Sequence, residues 1–134
     1  MKNRVIKGLV VAGAVIVMII SAFAYIFIYE TELKETRVLT DTYEQFELRI
    51  IEVGEPDFPF GHDHLKFILK KDGKRIAKYS FEVADDGCSA TSESFTITWN
   101  DDNVSVLSTG SEQPDITYTL NYDGTVSEYE KSED

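Results

Sequence analysis

The chain lacks a second cysteine, because Cys88 is the only one among its 134 residues. An internal disulfide is therefore excluded, and a domain outside the cytoplasm has to be stabilised by packing alone. The sequence also has no internal repeat and no low-complexity run. Its length leaves room for one modest core rather than two.

Basic residues are scarce, with 13 lysines and arginines against 24 aspartates and glutamates and a formal net charge of −11. All 24 acidic residues follow residue 28, whereas three of the basic residues precede Gly8, so the later part of the chain carries a charge of −14. This charge repels nucleic acids and anionic lipid headgroups, which excludes nucleic-acid binding. Cations, cationic peptides and basic protein surfaces are the compatible partners.

Catalytic motifs are absent as well. The sequence has no glycine-flanked serine elbow, no phosphate loop and no dinucleotide-binding glycine pattern. Its two histidines adjoin one another rather than a serine or Cys88. We therefore predict no catalytic residue and no cofactor, and we interpret the protein as a non-enzyme.

What the sequence does contain is one long apolar run, Gly8 to Ile28, without a charged residue. As a helix it reaches roughly 30 Å, the thickness of the hydrocarbon core of a bilayer. Basic residues precede the run and glutamates follow it, so we expect a single-pass protein of the cell membrane with its N-terminus in the cytoplasm. The alternative is a protein secreted after cleavage following Ala24, because residues 22–24 fit the small-x-small pattern of a signal peptide.

Four segments are expected on this interpretation. They are a basic cytoplasmic N-terminus (1–7), a transmembrane helix (8–28), a charged linker (29–41) and an extracytoplasmic β domain (42–134). Val38 and Leu39 are the linker residues expected to contact the domain. The acidic tail from Glu128 is expected to fray.

Alternating apolar and polar residues characterise the domain after residue 41, which is typical of half-buried strands. Phe46, Leu48 and Ile50 alternate in this way, and Ile51 then shifts the phase. Either a β-bulge near Ile50 and Ile51 or a strand covered on both faces towards its end would explain this shift. Six or seven short strands at close spacing predict an all-β fold. We expect a small antiparallel meander that forms a sandwich or a partly open barrel.

The most regular hairpin joins Phe95–Trp99 to the strand that follows the turn at residues 100–103. An even-length turn places Trp99 opposite Val104 and Ile97 opposite Val106 on one face. Because tryptophan is the largest side chain, we expect Trp99 at the centre of the core.

A second hairpin, residues 65–84, carries a row of lysines. A three-residue loop, 71–73, would pair Phe67 with Ala77 and put the apolar residues of both strands on one face, which a plain two-residue turn does not. The other face then carries Lys66, Lys70, Lys74 and Lys78. These lysines either protect an edge hairpin against aggregation or bind an acidic partner.

The loop at residues 54–63 contains two aromatic residues, Phe58 and Phe60. We expect both rings to tuck beneath the loop and seal one end of the core. The alternative is an exposed aromatic contact patch.

His62 and His64 are the candidate metal ligands. Alternate residues of an extended segment point to the same side, and two imidazoles can share a zinc or copper ion. A third ligand would come from elsewhere, with Asp57, Glu55 and Glu82 as the candidates.

The segment that begins at Phe95 combines a tryptophan strand with a Gly-x-Glu-Gln loop, here Trp99, Gly110, Glu112 and Gln113. This pattern resembles small single-pass envelope proteins of Gram-positive bacteria. The resemblance implies an envelope location and a β fold, and it implies no activity.

We therefore predict a membrane-anchored extracytoplasmic binding or interaction module, without catalysis, whose ligand the sequence does not identify; a protein partner with a basic surface is compatible with its charge. Two alternatives remain open. One is a metal-dependent hydrolase of envelope material that uses His62 and His64. The other is an accessory subunit of a membrane complex.

Overall fold

One long helix and eight strands make up the residues that the computed structural model describes, 1–57 and 59–131. The helix, α1 (Lys2–Ile28), continues into a π-helical turn (Tyr29–Leu33), and a 3₁₀ turn (Ser92–Ser94) precedes the fifth strand. The strands are β1 (Glu35–Tyr43), β2 (Phe46–Val53), β3 (Asp63–Lys71), β4 (Lys74–Val83), β5 (Phe95–Trp99), β6 (Asn103–Gly110), β7 (Gln113–Asn121) and β8 (Val126–Glu130).

The strands form two antiparallel sheets of four, each in the order of the chain, β1-β2-β3-β4 and β5-β6-β7-β8. Short turns join consecutive strands within each sheet, except that the loop at residues 54–62 joins β2 to β3. The apolar faces of the two sheets pack against each other in one core. The predicted all-β meander sandwich is confirmed.

Three aromatic rings join the sheets at the middle of the core. The ring centroid of Phe67 lies 4.1 Å from that of Phe81 in the first sheet and 5.2 Å from that of Tyr118 in the second. Tyr118 is 2% exposed, and its burial raises the pKa of the phenol to about 12. Around these rings lie the other fully buried side chains of the core, which include Leu48, Ile50, Leu69, Val104, Val106 and Leu120.

The prediction that Trp99 occupies the centre of the core is wrong. Trp99 is half-buried at the end of the sandwich where β5 stops, stacked on Tyr43 at a centroid distance of 5.8 Å. Its Nε1–H donates to Asp41 Oδ2 at 3.0 Å. An indole needs a partner for its N–H, which the apolar centre does not offer, so the ring lies where its polar edge reaches a carboxylate.

The structure also corrects the linker, because residues 35–43 form β1 and account for the eighth strand. β1 pairs with β2 along its length, from Glu35 opposite Val53 to Tyr43 opposite Phe46. Its sequence does not alternate because it is an edge strand with an irregularity: Arg37 faces Ile51 and Leu39 faces Ile50, which leaves Val38 as an extra residue. The prediction of a bulge near Ile50 and Ile51 is wrong, because β2 alternates strictly from Phe46 to Val53; the bulge lies opposite these residues, on β1.

Two hairpin registers can be compared with their predictions. Trp99 pairs with Val104 and Ile97 with Val106, as predicted. The predicted pairing of Phe67 with Ala77 is wrong, because Phe67 pairs with Tyr79 and Leu69 with Ala77.

The physical reason lies in the turn between β3 and β4. Lys71 pairs with Lys74 across a two-residue turn, and a bulge follows directly on β4. Asp72 and Gly73 both have positive φ, of 50° and 75°, the geometry of the tightest hairpin turn. The bulge adds one residue to β4, so the apolar faces still coincide, as predicted, although the pairing is displaced by two residues.

The acidic tail is more ordered than expected, because β8 extends to Glu130. Tyr79 donates its hydroxyl hydrogen to Glu128 Oε2 at 2.9 Å, and Lys131 N–H donates to Asp115 O at 3.0 Å. The last part of the predicted frayed tail, residues 132–134, lies outside the described residues.

Within the described chain, α1 contributes no buried residue to the sandwich. With the turn that follows, it is long and apolar enough to span a membrane. The end of the sandwich next to it, which we call the membrane end, comprises the start of β1, the end of β2, the start of β3 and the end of β4. The turns at Asp72–Gly73 and at residues 100–103 lie at the opposite, distal end.

A pair of tyrosines tests this description of the core. We expect Tyr118→Ala to lower the free energy of unfolding by about 3–5 kcal/mol, because it removes a buried ring between the sheets. The matched control is Tyr129→Ala, whose ring is 68% exposed and whose loss should change the free energy by less than about 0.5 kcal/mol. Urea unfolding of the fragment from Tyr29 onward measures both, and equal effects would contradict the core assignment.

Candidate functional site

The two predicted metal ligands lie at the membrane end, in a cluster with two carboxylates. His64 and Glu82 are direct cross-strand partners on β3 and β4. Glu82 Oε2 lies 3.0 Å from His62 Nδ1, and Glu82 Oε1 lies 3.2 Å from His64 Nδ1. Asp57 Oδ2 lies 3.1 Å from His64 Nε2. Two of the three carboxylates named as candidate third ligands, Glu82 and Asp57, are therefore brought to the histidines.

In this arrangement the imidazoles and carboxylates satisfy one another. Both ring nitrogens of His64 face a carboxylate oxygen, and an imidazole donates from both nitrogens only when it is protonated. Within residues 1–57 and 59–131, no group of three or more His, Cys, Asp or Glu side chains is arranged to hold a metal ion. The cluster is thus an exposed network of contacts between imidazoles and carboxylates, and the metal site stays a prediction.

Behind the histidines, Asp63 is a buried carboxyl that the sequence analysis did not single out. Asp63 is fully buried and accepts a hydrogen bond from Ala90 N–H at 2.6 Å, which ties the β4–β5 loop to the start of β3. Burial raises the pKa of Asp63 to about 6, the Ala90 N–H opposes this shift, and the charge of the neighbouring buried Glu52 adds to it. If one of the two carboxyls is protonated, its O–H can donate a hydrogen bond to the other, which links Asp63 and Glu52.

The signal for this pair is present in the sequence but is easily misread. Glu52 continues the inward phase of Phe46, Leu48 and Ile50 on β2, so strict alternation places a carboxylate in the core. A phase shift at Ile51 is the more natural interpretation of such a pattern, because acidic side chains are seldom buried.

The predicted lysine face is neutralised in part, because two of its four lysines pair with glutamates. Lys66 is buried and pairs with Glu35 of β1, while Lys70 Nζ lies 3.7 Å from Glu47 Oε1 on β2. Lys74 and Lys78 remain exposed. Because β3 is an inner strand of the sheet, the acidic residues of β1 and β2 lie beside its lysines, and the four do not form one basic patch.

Of the two loop aromatics, Phe60 is exposed, to 69%, so the prediction that it tucks under the loop is wrong. A tight turn explains this: Gly61 N–H donates to Asp57 O at 2.6 Å, and so short a turn cannot carry its ring back to the core. Ala90 and Asp63 occupy the end of the core instead. Phe58 lies outside the described residues.

The Gly-x-Glu-Gln loop has a structural role at the membrane end. Gln113 Oε1 accepts a hydrogen bond from Ala84 N–H at 2.8 Å, and Glu112 N–H donates to Ala84 O at 3.1 Å. A Cβ at Gly110 would be pressed against the Ala84 carbonyl oxygen, so the loop approaches this closely only with glycine. The motif locks the β6–β7 turn of one sheet to the end of β4 in the other.

A surface that the sequence analysis missed is the outer face of the second sheet. Strand pairing aligns two rungs of four residues on this face. They are Thr96-Leu107-Thr117-Tyr129 and Thr98-Ser105-Thr119-Ser127. None of these eight side chains is charged, although the chain after residue 28 carries a charge of −14. We call this surface the hydroxyl face.

The hydroxyl face differs from the outer face of the first sheet. There, charged side chains alternate in sign across the strands, with Glu47 beside Lys70 and Arg49, and His64 beside Glu82. Outward threonines could be read from the sequence one strand at a time. Only the register of β5 to β8 shows that they form one continuous uncharged surface.

No protein family, curated protein or solved structure matches this chain. The resemblance to envelope proteins of Gram-positive bacteria therefore stays a prediction, and any functional interpretation depends on the geometry of the sandwich and its surfaces.

The buried Asp63 makes the stability of the domain depend on pH. Its pKa is higher in the folded protein, about 6, than the ordinary value of 3.8, so the folded state holds a proton that the unfolded state has released. The free energy of unfolding should therefore fall as the pH rises from about 4 to about 6.

The variant Asp63→Asn keeps an acceptor for Ala90 N–H but does not titrate, so its stability should fall less over this range. Urea unfolding of wild type and variant at several pH values measures the difference, with Glu52→Gln as a second variant that removes the neighbouring charge. Parallel pH profiles for Asp63→Asn and wild type would contradict the assignment.

Proposed function

We propose that the protein is a single-pass membrane protein whose β-sandwich lies outside the cytoplasm and binds a protein partner through the hydroxyl face, without catalysis. The observation that carries the proposal is the absence of charge across this face in a strongly acidic domain. Interface centres are depleted of charged residues, and none of the eight residues of the two rungs is charged.

The membrane anchor is supported by α1. It has the length and composition of a membrane span, and none of its residues is buried against the sandwich. Basic residues precede it and acidic residues follow it, which favours a cytoplasmic N-terminus. The rival, cleavage following Ala24, leaves the sandwich on the same side of the membrane and does not alter the binding proposal.

The surroundings of the hydroxyl face indicate what kind of partner fits it. The segments that frame it are acidic, with Asp101 and Asp102 in the β5–β6 turn, Glu112 and Asp115 near the β6–β7 turn, and Asp123 in the β7–β8 turn. A complementary partner presents an uncharged patch with lysines and arginines around it. Such an arrangement steers association through the rim and buries only neutral groups at the centre.

The edge of the same sheet adds a second feature. Edge strands normally carry charges or prolines that prevent pairing with other chains. Within the described residues, β1, β4 and β8 carry such charges, whereas β5, with the sequence FTITW, has none. A partner that covers the hydroxyl face also protects this edge, and an extended partner segment could add to it as a further strand.

Site-specific photo-crosslinking tests the docking surface. A photoreactive residue at Thr98, on the hydroxyl face, should give a crosslinked adduct in native membranes. The matched control is Ser80, an exposed hydroxyl residue of an edge strand on the outer face of the first sheet. A charge at the centre of the face, Thr119→Arg, should weaken the Thr98 adduct about tenfold or more, because the contact would have to desolvate it.

Two results would overturn this surface: equal adducts at Thr98 and Ser80, or a Thr98 adduct that is insensitive to Thr119→Arg. High salt should weaken the Thr98 adduct as well, because the rim contribution is electrostatic. An adduct that is strong at any salt concentration would contradict the basic rim of the partner.

A metal-dependent hydrolase is the second candidate function, favoured by the contact of Glu82 with both imidazoles. If His62, His64 and Glu82 hold zinc, the wild-type fragment from Tyr29 onward should bind it in a calorimetric titration and His62→Ala/His64→Ala should not. Metal analysis of the purified protein is the second readout. Absence of zinc binding by wild type removes this candidate.

A further inference from the structure

The polar end of α1 is joined to the sandwich without a flexible spacer. The π-helical turn continues α1 directly, and only Lys34 lies between this turn and β1. Gly54 N–H, at the end of β2, donates to Lys34 O at 2.7 Å, and Glu55 N–H donates to Thr31 O at 2.9 Å. Gly54 has a φ of +76°, and any Cβ there would overlap the Thr31 carbonyl. The β2–β3 loop is therefore held against the end of the helical segment.

This loop lies level with the last residues of the apolar run. The two segments enclose a cavity of about 180 Å³ that is lined by Phe27, Thr31, Glu32, Glu55, Pro56 and Asp57. Phe27 belongs to the run that spans the hydrocarbon core. Tyr25 and Tyr29 flank Phe27 in the sequence and stack on each other, with ring centroids 6.4 Å apart. Tyrosine is typical of the membrane–water interface. The loop is thus at the depth of the headgroup layer.

The loop continues into a turn that is closed by the hydrogen bond from Gly61 N–H to Asp57 O and that exposes an aromatic ring. Phe60 lies in this turn and is 69% exposed, next to Pro59, which is also exposed. From the other side, the β4–β5 loop supports the turn: a Cβ at Gly87 would lie 2.9 Å from the Pro59 carbonyl oxygen. The turn is therefore backed by the protein on one side and leaves the Phe60 ring exposed, three residues after Asp57, which lines the cavity at the end of the helical segment.

We propose that this turn is a second membrane contact, in which Pro59 and Phe60 enter the headgroup layer of the leaflet from which α1 emerges. The proposal rests on the membrane anchor of the proposed function. An apolar ring with a hydrophobic neighbour is what interfacial segments insert between headgroup and acyl chain. The carboxylates of Glu32, Glu55 and Asp57 lie next to the turn and repel anionic headgroups, so the lipid that it contacts is zwitterionic.

The consequence of two contacts is a fixed orientation of the sandwich. α1 alone allows the domain to rotate and tilt about the helical segment, whereas a second contact on the loop holds the membrane end against the lipid. The strands then lead away from the bilayer, and the distal turns are the part farthest from it. The hydroxyl face stands beside the membrane surface rather than against it, where it is accessible to a partner.

Fluorescence in vesicles tests the contact. The full chain, as Phe60→Trp, is reconstituted in phosphatidylcholine vesicles whose acyl chains are either brominated or unmodified. The matched control is Lys74→Trp, at an exposed position of the distal turn, and Trp99 contributes the same background to both. We expect the added fluorescence of Phe60→Trp to shift to shorter wavelength and to be quenched by bromine several times more strongly than that of Lys74→Trp.

Flotation of the same vesicles separates the possible failures. If neither variant floats with the lipid, α1 is not an anchor, and the proposed function fails together with this contact. If both float and bromine quenches them equally, the second contact alone is overturned. If the emission of Phe60→Trp shifts to shorter wavelength but bromine does not quench it, protein rather than lipid covers the ring. That result overturns the lipid contact in favour of a contact with a second copy of the chain.

Discussion

The contact of Phe67 and Phe81 with Tyr118 is the interaction on which the rest of the structure depends. Within the described residues, each sheet is a separate meander and no backbone pairing joins one to the other. Neither meander can bury its apolar face alone, so the sandwich exists only because side chains from both sheets fill the same core. The ring centroids of Phe81 and Tyr118, 4.9 Å apart, lie where the two faces meet.

Stacking the sheets also assembles the membrane end from distant segments. Ala90 N–H binds Asp63 and Ala84 N–H binds Gln113, so the loops of both sheets converge beside the end of α1. A buried carboxyl pair, an exposed network of histidines and carboxylates, and the turn that contains Phe60 all lie in this region. The imidazoles of the histidine network each contact a carboxylate, which favours a structural role for this network over metal chemistry.

The two outer faces differ in their distribution of charge, which supports the hydroxyl face as the docking surface that we propose. On the first sheet, lysines lie between glutamates, and a partner would have to displace these ion pairs at a cost in desolvation. On the second sheet, the rungs of threonine, serine, leucine and tyrosine offer neutral groups only. The acidic turns around them add long-range selectivity without placing a charge where water is excluded.

Much of the fold could be predicted because period and turn length are local properties. The register of Trp99 with Val104 followed from one even-length turn, and the shared apolar face of β3 and β4 followed from burial alone. Two of the failures involve bulges. A bulge at Val38 hid β1, and a one-residue bulge after the two-residue Asp72–Gly73 turn replaced the predicted three-residue loop; neither bulge leaves a distinctive residue pattern. The candidate site was also predicted only in part: Glu82 and Asp57 were named as neighbours of the histidines, whereas the buried Asp63 was not.

The sequence by itself determined the apolar helix, the acidic character of the chain after residue 28 and the all-β meander, because length, charge and alternation are properties of single segments. Only the tertiary structure decided which side chains meet across strands. It paired two lysines of the row with Glu35 and Glu47, left Phe60 exposed, and aligned scattered threonines into one uncharged face. These outcomes depend on register and on packing between sheets, and contacts between residues far apart in the chain fix both.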